Sequence, residues 1–294
     1  MQLFLDSRQL VRIGAANAAS YASAQPFPHA VLDGVLPDEA LDLVLAHFPD
    51  PDSEIWKEYH NYHEVKLEAQ GEERLAPEVC WVLYQLNSAP FLKFLEALTG
   101  IRNLIPDPYF YGGGLHQIEQ GGKLGVHADF SMHGDLPLHR RVNVIIYLNR
   151  DWREEWGGHL ELWDAERTAC QKKVLPVYNR MVAFTITDWN FHGHPEPLTC
   201  PPGVTRKSIA LYYYTVDRPA GETMDGKRQS LFIQRPGEEV PDGTVFSRDG
   251  VDTAEDRLAK SKKKSARGIA KRLTPPIVVD ALIRLRNRRL RSKT

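Results

Sequence analysis

The chain has 294 residues, of which 42% are hydrophobic, 26% charged and 10% aromatic, a balance that suits a globular protein with a sizeable core and excludes a disordered or collagen-like chain. No apolar run approaches the roughly 20 residues that span a bilayer, and the opening MQLFLDSRQLVRIGAANAAS has no apolar block followed by a cleavage site, so no signal peptide is expected. Three cysteines (Cys80, Cys170 and Cys200) are too few and too scattered for a disulfide framework or a thiolate zinc site, and a reducing, cytoplasmic setting is the expectation.

The net charge of −1 conceals an asymmetry. From Arg257 to Thr294 there are 14 lysines and arginines against one acid, Asp280, whereas the preceding 256 residues hold 23 basic and 37 acidic side chains. Four zones follow in chain order. Residues 1–105 form an N-terminal support region whose first 30 or so residues are small and polar. From Val31 the pattern is mostly helical: Pro37 to Phe48 has helical apolar spacing with acids in the first turn, and Phe91 to Leu98 reads the same way, with Gly100 as its stop. Residues 106–216 change texture to short β-rich runs, clearest at 142–148, 159–163, 181–186 and 208–214, with turn signals at Gly157-Gly158 and Tyr178-Asn179. No long helix interrupts them, so an antiparallel double-sheet barrel fits better than a parallel βαβ sheet. Residues 217–256 are irregular. Residues 257–294 read as a basic helical tail broken at Thr274-Pro275-Pro276. The tail suits docking on the acidic body or a second subunit, or alternatively an anionic membrane or another acidic partner. No nucleic-acid motif accompanies it.

The chemistry concentrates in Gly122 to Phe130. Residues i and i+2 of a strand share a face, so His127 and Asp129 project into one cavity, and Phe191-His192-Gly193-His194 offers a third ligand later. Two imidazoles and one carboxylate on one face of a metal leave its other positions open, the facial triad of non-haem Fe(II) oxygenases. His133-Gly134-Asp135 repeats the spacing six residues on, but it sits in loop-forming surroundings and suits the substrate entrance better than a metal. Beyond His192, counting by twos places Arg206, Ser208, Ala210 and Tyr212 on one strand face, where a guanidinium and a hydroxyl can grip a carboxylate. Tyr147, on the strand with Asn143 and Ile145, can add a phenol to the same cavity. Such a cavity would suit a small dicarboxylate that chelates the metal at one end. Gly112-Gly113-Gly114 and Gly121-Gly122 lack the spacing and the Ser or Thr of a phosphate loop and read as turns.

The ordered set His127-x-Asp129, Tyr147-Leu148-Asn149, Gly157-Gly158-x-Leu160, His192 and Arg206-x-Ser208 resembles the prolyl 4-hydroxylase-like 2-oxoglutarate/Fe(II) dioxygenases over roughly residues 105–216, with the Phe27 to Phe48 stretch similar to their lead-in. The resemblance implies a double-stranded β-helix (jelly-roll) core, mainly β with flanking α, supported by N-terminal helices. It implies that His127, Asp129 and His192 bind Fe(II), and that Arg206 holds the distal carboxylate of 2-oxoglutarate with Tyr147 and Ser208 assisting. His194 is the alternative third ligand; the resemblance favours His192 because a glycine follows it. The activity implied is hydroxylation of an unactivated C–H bond, using O2 and releasing succinate and CO2, on a prolyl residue, an amino acid or another small molecule. The loops Ser131 to His139 and Asp188 to Gly203 are expected to form the rim, with Trp152, Trp156 and Trp189 flanking the site. Two other readings stand beside it: a cupin-like oxygenase needing no 2-oxoglutarate, and a non-catalytic scaffold for the tail.

Overall fold

The structure is a computed structural model that describes residues 2–219, 230–242 and 244. The basic tail and most of the irregular extension before it lie outside the described residues. In chain order the elements are α1 (Ser7–Ser23), β1 (His29–Asp33), α2 (Asp38–Ala46), β2 (Lys57–His60), β3 (Glu64–Ala69), α3 (Pro77–Leu86), α4 (Ala89–Thr99) and β4 (Ile105–Pro106). They continue with β5 (Gly114–Ile118), β6 (Lys123–Ala128), β7 (His139–Tyr147), a 3-10 turn at Glu154–Trp156, β8 (Leu160–Trp163), β9 (Cys170–Val174), β10 (Arg180–Thr185), β11 (His192–His194), β12 (Arg206–Thr215) and β13 (Leu231–Phe232).

The helical expectations for 37–48 and 91–98 correspond to α2 and α4, and Gly100 closes α4 in the left-handed conformation at φ 74°. The first 30 residues contain more than small, polar chain. Asp6 caps α1 by accepting from the backbone N–H groups of Arg8 and Gln9, and the helix then packs along α4. Gly14 allows that approach, since a Cβ there would stand 2.6 Å from the Phe94 carbonyl oxygen. The zone from Val31 to Ile105 is also less helical than its composition suggests, because it contributes β1, β2 and β3 to the sheet.

Every strand pairing is antiparallel, in the order β1-β10-β7-β12-β5-β3-β6-β11-β8-β9. This is the double-stranded β-helix, a sheet folded over so that strands from both halves face one cavity. The alternation along β7 and β12 assigns each face. Val142, Val144, Ile146, Ile209, Leu211 and Tyr213 join the main core with Leu41, Leu83, Phe91, Phe94 and Leu95 of the helices. Asn143, Ile145, Arg206, Ser208, Ala210 and Tyr212 turn the other way and line the cavity. A second apolar cluster, with Phe27, Leu160, Leu162, Val182 and Phe184, packs between the two halves.

Candidate functional site

The cavity has a volume of about 600 Å³. In its wall β6 and β11 run antiparallel with His127 directly opposite His192, and the ring centroids are 4.5 Å apart. Asp129 follows the last residue of β6. The Nδ1 of His127 lies 2.9 Å from the Gly125 carbonyl oxygen, and that of His192 lies 3.1 Å from the Asn190 carbonyl oxygen. A carbonyl only accepts, so each Nδ1 carries the proton and each Nε2 keeps its lone pair. Those lone pairs face Asp129: His127 Nε2 is 3.5 Å from Oδ1 and His192 Nε2 is 3.3 Å from Oδ2. All three side chains are buried, and their ligand atoms lie within 4.8 Å of one another. Two imidazoles and a carboxylate so grouped fit one divalent transition-metal ion.

Two residues given no role in the sequence support this group. Asn143 Nδ2 donates to Asp129 Oδ2 at 2.6 Å, and Arg140 Nη2 donates to the same oxygen at 3.2 Å. Arg140 is itself fixed by a bond from Nε to Asn143 Oδ1 at 2.7 Å and by stacking on Tyr212 and Phe130, at 3.4 and 4.2 Å from the ring centroids. Burial alone would push the Asp129 carboxyl up, but the Arg140 guanidinium leads the groups that outweigh it and hold the carboxyl well below the usual carboxylate range. Burial pushes His192 down, with Asp129 opposing. Asn143 was legible as a member of the inward face of β7. Arg140 was not, because nothing local marks a buried arginine.

Arg206, 4% exposed, lines the same cavity. Its Nε donates to the Gly158 carbonyl at 2.8 Å, and Nη2 donates to the Tyr147 hydroxyl at 3.2 Å. Gly158 has φ 71°, and a Cβ there would stand 3.0 Å from Arg206 Cδ and 2.7 Å from Leu198, so the close approach requires a glycine. Burial pushes the guanidinium down, and Tyr147 opposes it. Among the described residues no carboxylate pairs with this buried cation, which suits an anionic ligand. Ser208 lines the cavity beside it, whereas Tyr147 lies behind Arg206 and meets the cavity only through the guanidinium.

The rim differs from the expectation. No residue from 131–139 lines the cavity, and from 188–203 only His192, Gly193 and His194 do. His133 folds its own loop: Nδ1 accepts from the backbone N–H groups of Asp135 and Leu136, both at 3.1 Å, while Nε2 lies 3.4 Å from Asp107. Leu198 and Cys200 hold the second loop down on Ile118 and Trp152. Trp152 and Trp156 stack edge to face within that cluster, Trp189 is 64% exposed, and none of the three lines the cavity. The wall is instead the β2–β3 hairpin, through Lys57, Tyr59, Glu64, Lys66, Glu68 and Gln70. The tyrosine ring lies under both ammonium groups, at 4.5 Å from Lys57 and 4.6 Å from Lys66.

Comparison with known proteins places this geometry. Residues 113–214 match the model of the 2OG-Fe(II) oxygenase superfamily. Prolyl 3-hydroxylase OGFOD1 of Mus musculus is 30% identical over 86 residues, which are 28% of this chain and only 15% of that protein. Two solved structures share the fold. A Trichoplax adhaerens prolyl hydroxylase, in complex with a hypoxia inducible factor peptide fragment, superposes with a TM-score of 0.51 at 19% identity, covering 70% of this chain and 91% of that one. A prolyl 4-hydroxylase from Phytophthora capsici gives 0.51 at 18% identity, covering 76% and 70%. The superfamily uses Fe(II), 2-oxoglutarate and O2. Over residues 113–214 this chain is therefore similar to the 2OG-Fe(II) oxygenase superfamily, and its fold is that of the two prolyl hydroxylase structures.

Proposed function

We propose that the chain is an Fe(II)- and 2-oxoglutarate-dependent hydroxylase, in which His127, Asp129 and His192 hold the metal and Arg206 holds the distal carboxylate of the cosubstrate. One observation carries this reading: a buried His-Asp-His group and a buried arginine with no carboxylate partner among the described residues open into the same cavity. The metal with 2-oxoglutarate and O2 would supply oxidation of a C–H bond to a hydroxyl, with release of succinate and CO2. The protein's own groups position the reactants. Gly158 and Tyr147 aim Arg206, Ser208 adds a hydroxyl beside it, and Arg140 with Asn143 keeps the Asp129 carboxylate ionised and fixed. Ile145, Leu160 and Phe232 make part of the wall apolar and limit water. A carboxylate at position 129 occupies the place that a halide would need, so the product is an alcohol and not a halide. The relatives' names make a prolyl residue in a peptide the first substrate to test, ahead of free amino acids.

The test needs no substrate. Anaerobic addition of Fe(II) and 2-oxoglutarate to metal-free protein gives a weak visible charge-transfer band. His127→Ala abolishes it, and Arg206→Ala shifts its appearance to far higher 2-oxoglutarate concentrations. Folded wild-type protein that binds Fe(II) without developing the band sinks the reading.

A further inference from the structure

β11 presents two imidazoles to the cavity. His194 follows His192 by two residues, and both rings line the same space. His194 is 3% exposed, and neither ring nitrogen has a hydrogen-bond partner among the described residues. Leaving two such atoms buried and unmatched is costly, so a group that enters the cavity is the natural partner. Arg206, Lys66 and His127 line the same cavity as this ring. A neutral imidazole offers one N–H and one lone pair to such a group.

A dicarboxylate stretched from the metal-ligand group to Arg206 would share its cavity with this ring. Arg206 already gives Nε to Gly158 and a bond from Nη2 to Tyr147, while a carboxylate has about four acceptor sites to fill. We propose that His194 is a cosubstrate-positioning residue, whose N–H donates to the carboxylate of 2-oxoglutarate that Arg206 holds. The assignment rests on the reading of Arg206 as the cosubstrate anchor. It gives the second histidine of His192-Gly193-His194 a function distinct from metal binding.

The experiment is calorimetric titration of Mn(II)-loaded full-length protein without oxygen, using wild type, His194→Leu and His194→Gln. Each is titrated with 2-oxoglutarate and with 2-oxopentanoate, which keeps the keto acid and lacks the distal carboxylate. His194→Leu binds 2-oxoglutarate about tenfold more weakly or worse, and His194→Gln, which retains an N–H, recovers most of the loss. The affinity for 2-oxopentanoate changes by less than about twofold, and so does that for Mn(II), which also reports an intact fold. A leucine variant that binds 2-oxoglutarate like wild type overturns the assignment. So does one that weakens both keto acids equally, because the residue then only shapes the cavity. Wild-type protein that binds Mn(II) but neither keto acid overturns the anchor reading and this proposal with it.

Discussion

β7 and β12 lie side by side, and their two faces do different work. On the helix side Val144, Ile146, Ile209 and Leu211 meet only apolar neighbours, and any well-filled hydrophobic set of similar volume would serve there. On the cavity side the same strands carry Asn143, Arg206 and Ser208 at equal burial, with Tyr147 behind them. Burying such groups opposes folding unless each finds a partner. The helix face stabilises the strands, and the cavity face uses that stability to hold polar groups ready for a ligand.

Substitutions on the two faces should therefore separate stability from binding. Arg206→Ala has the largest effect on binding, about a hundredfold or more in 2-oxoglutarate affinity, since a charge-assisted bidentate grip is lost. Its denaturation midpoint should stay near wild type, because a buried cation is removed along with its bonds. Leu211→Ala does the reverse. Urea unfolding should show a loss of about 3 kcal/mol, while 2-oxoglutarate affinity of the folded fraction holds within about twofold. If Leu211→Ala instead weakens binding as much as Arg206→Ala does, the two faces are not separable.

Tyr147→Phe is a smaller, sharper probe. It removes one hydroxyl from Arg206 and leaves the ring in place, so affinity should fall by about fivefold, the worth of one hydrogen bond of roughly 1 kcal/mol. No change would mean that Gly158 alone aims the arginine. The remaining probe is acid stability. Burial, with Lys66 adding to it, pushes His116 on the cavity wall from the usual 6.5 down to about 3. Above pH 6.5 neither folded nor unfolded chain protonates this group. Below it the unfolded chain takes up a proton that the folded one refuses, so the folded state loses ground steadily toward about pH 3. Denaturant midpoints of metal-free protein should fall between pH 7 and pH 4, and fall less steeply in His116→Gln. Parallel slopes would show that His116 does not contribute.

The cavity face of β12 was legible because its alternation is regular, and one count by twos from Arg206 gives four inward residues. The triad was legible because His127, Asp129 and His192 sit at or beside strand positions in family order. The β2–β3 hairpin was not. In Glu64-Val65-Lys66-Leu67-Glu68-Ala69 the charged residues face the cavity and Leu67 and Ala69 face the core, so the usual outward polarity is reversed and the composition favours a helix. α1 was missed because its buried stripe is thin, with only Leu10, Gly14 and Tyr21 buried. A close approach between helix backbones replaces the large apolar side chains that mark a helix in sequence.

The hairpin wall also has a bearing on how such a protein diverges. Residues 57–70 precede the stretch that matches the superfamily, yet they supply part of the cavity wall. On the proposed function, the residues that hold the metal and the residues of this wall are thus written in different lengths of the gene. Under that reading a lineage could exchange the hairpin and acquire a new diet while His127, Asp129, His192 and Arg206 stay untouched.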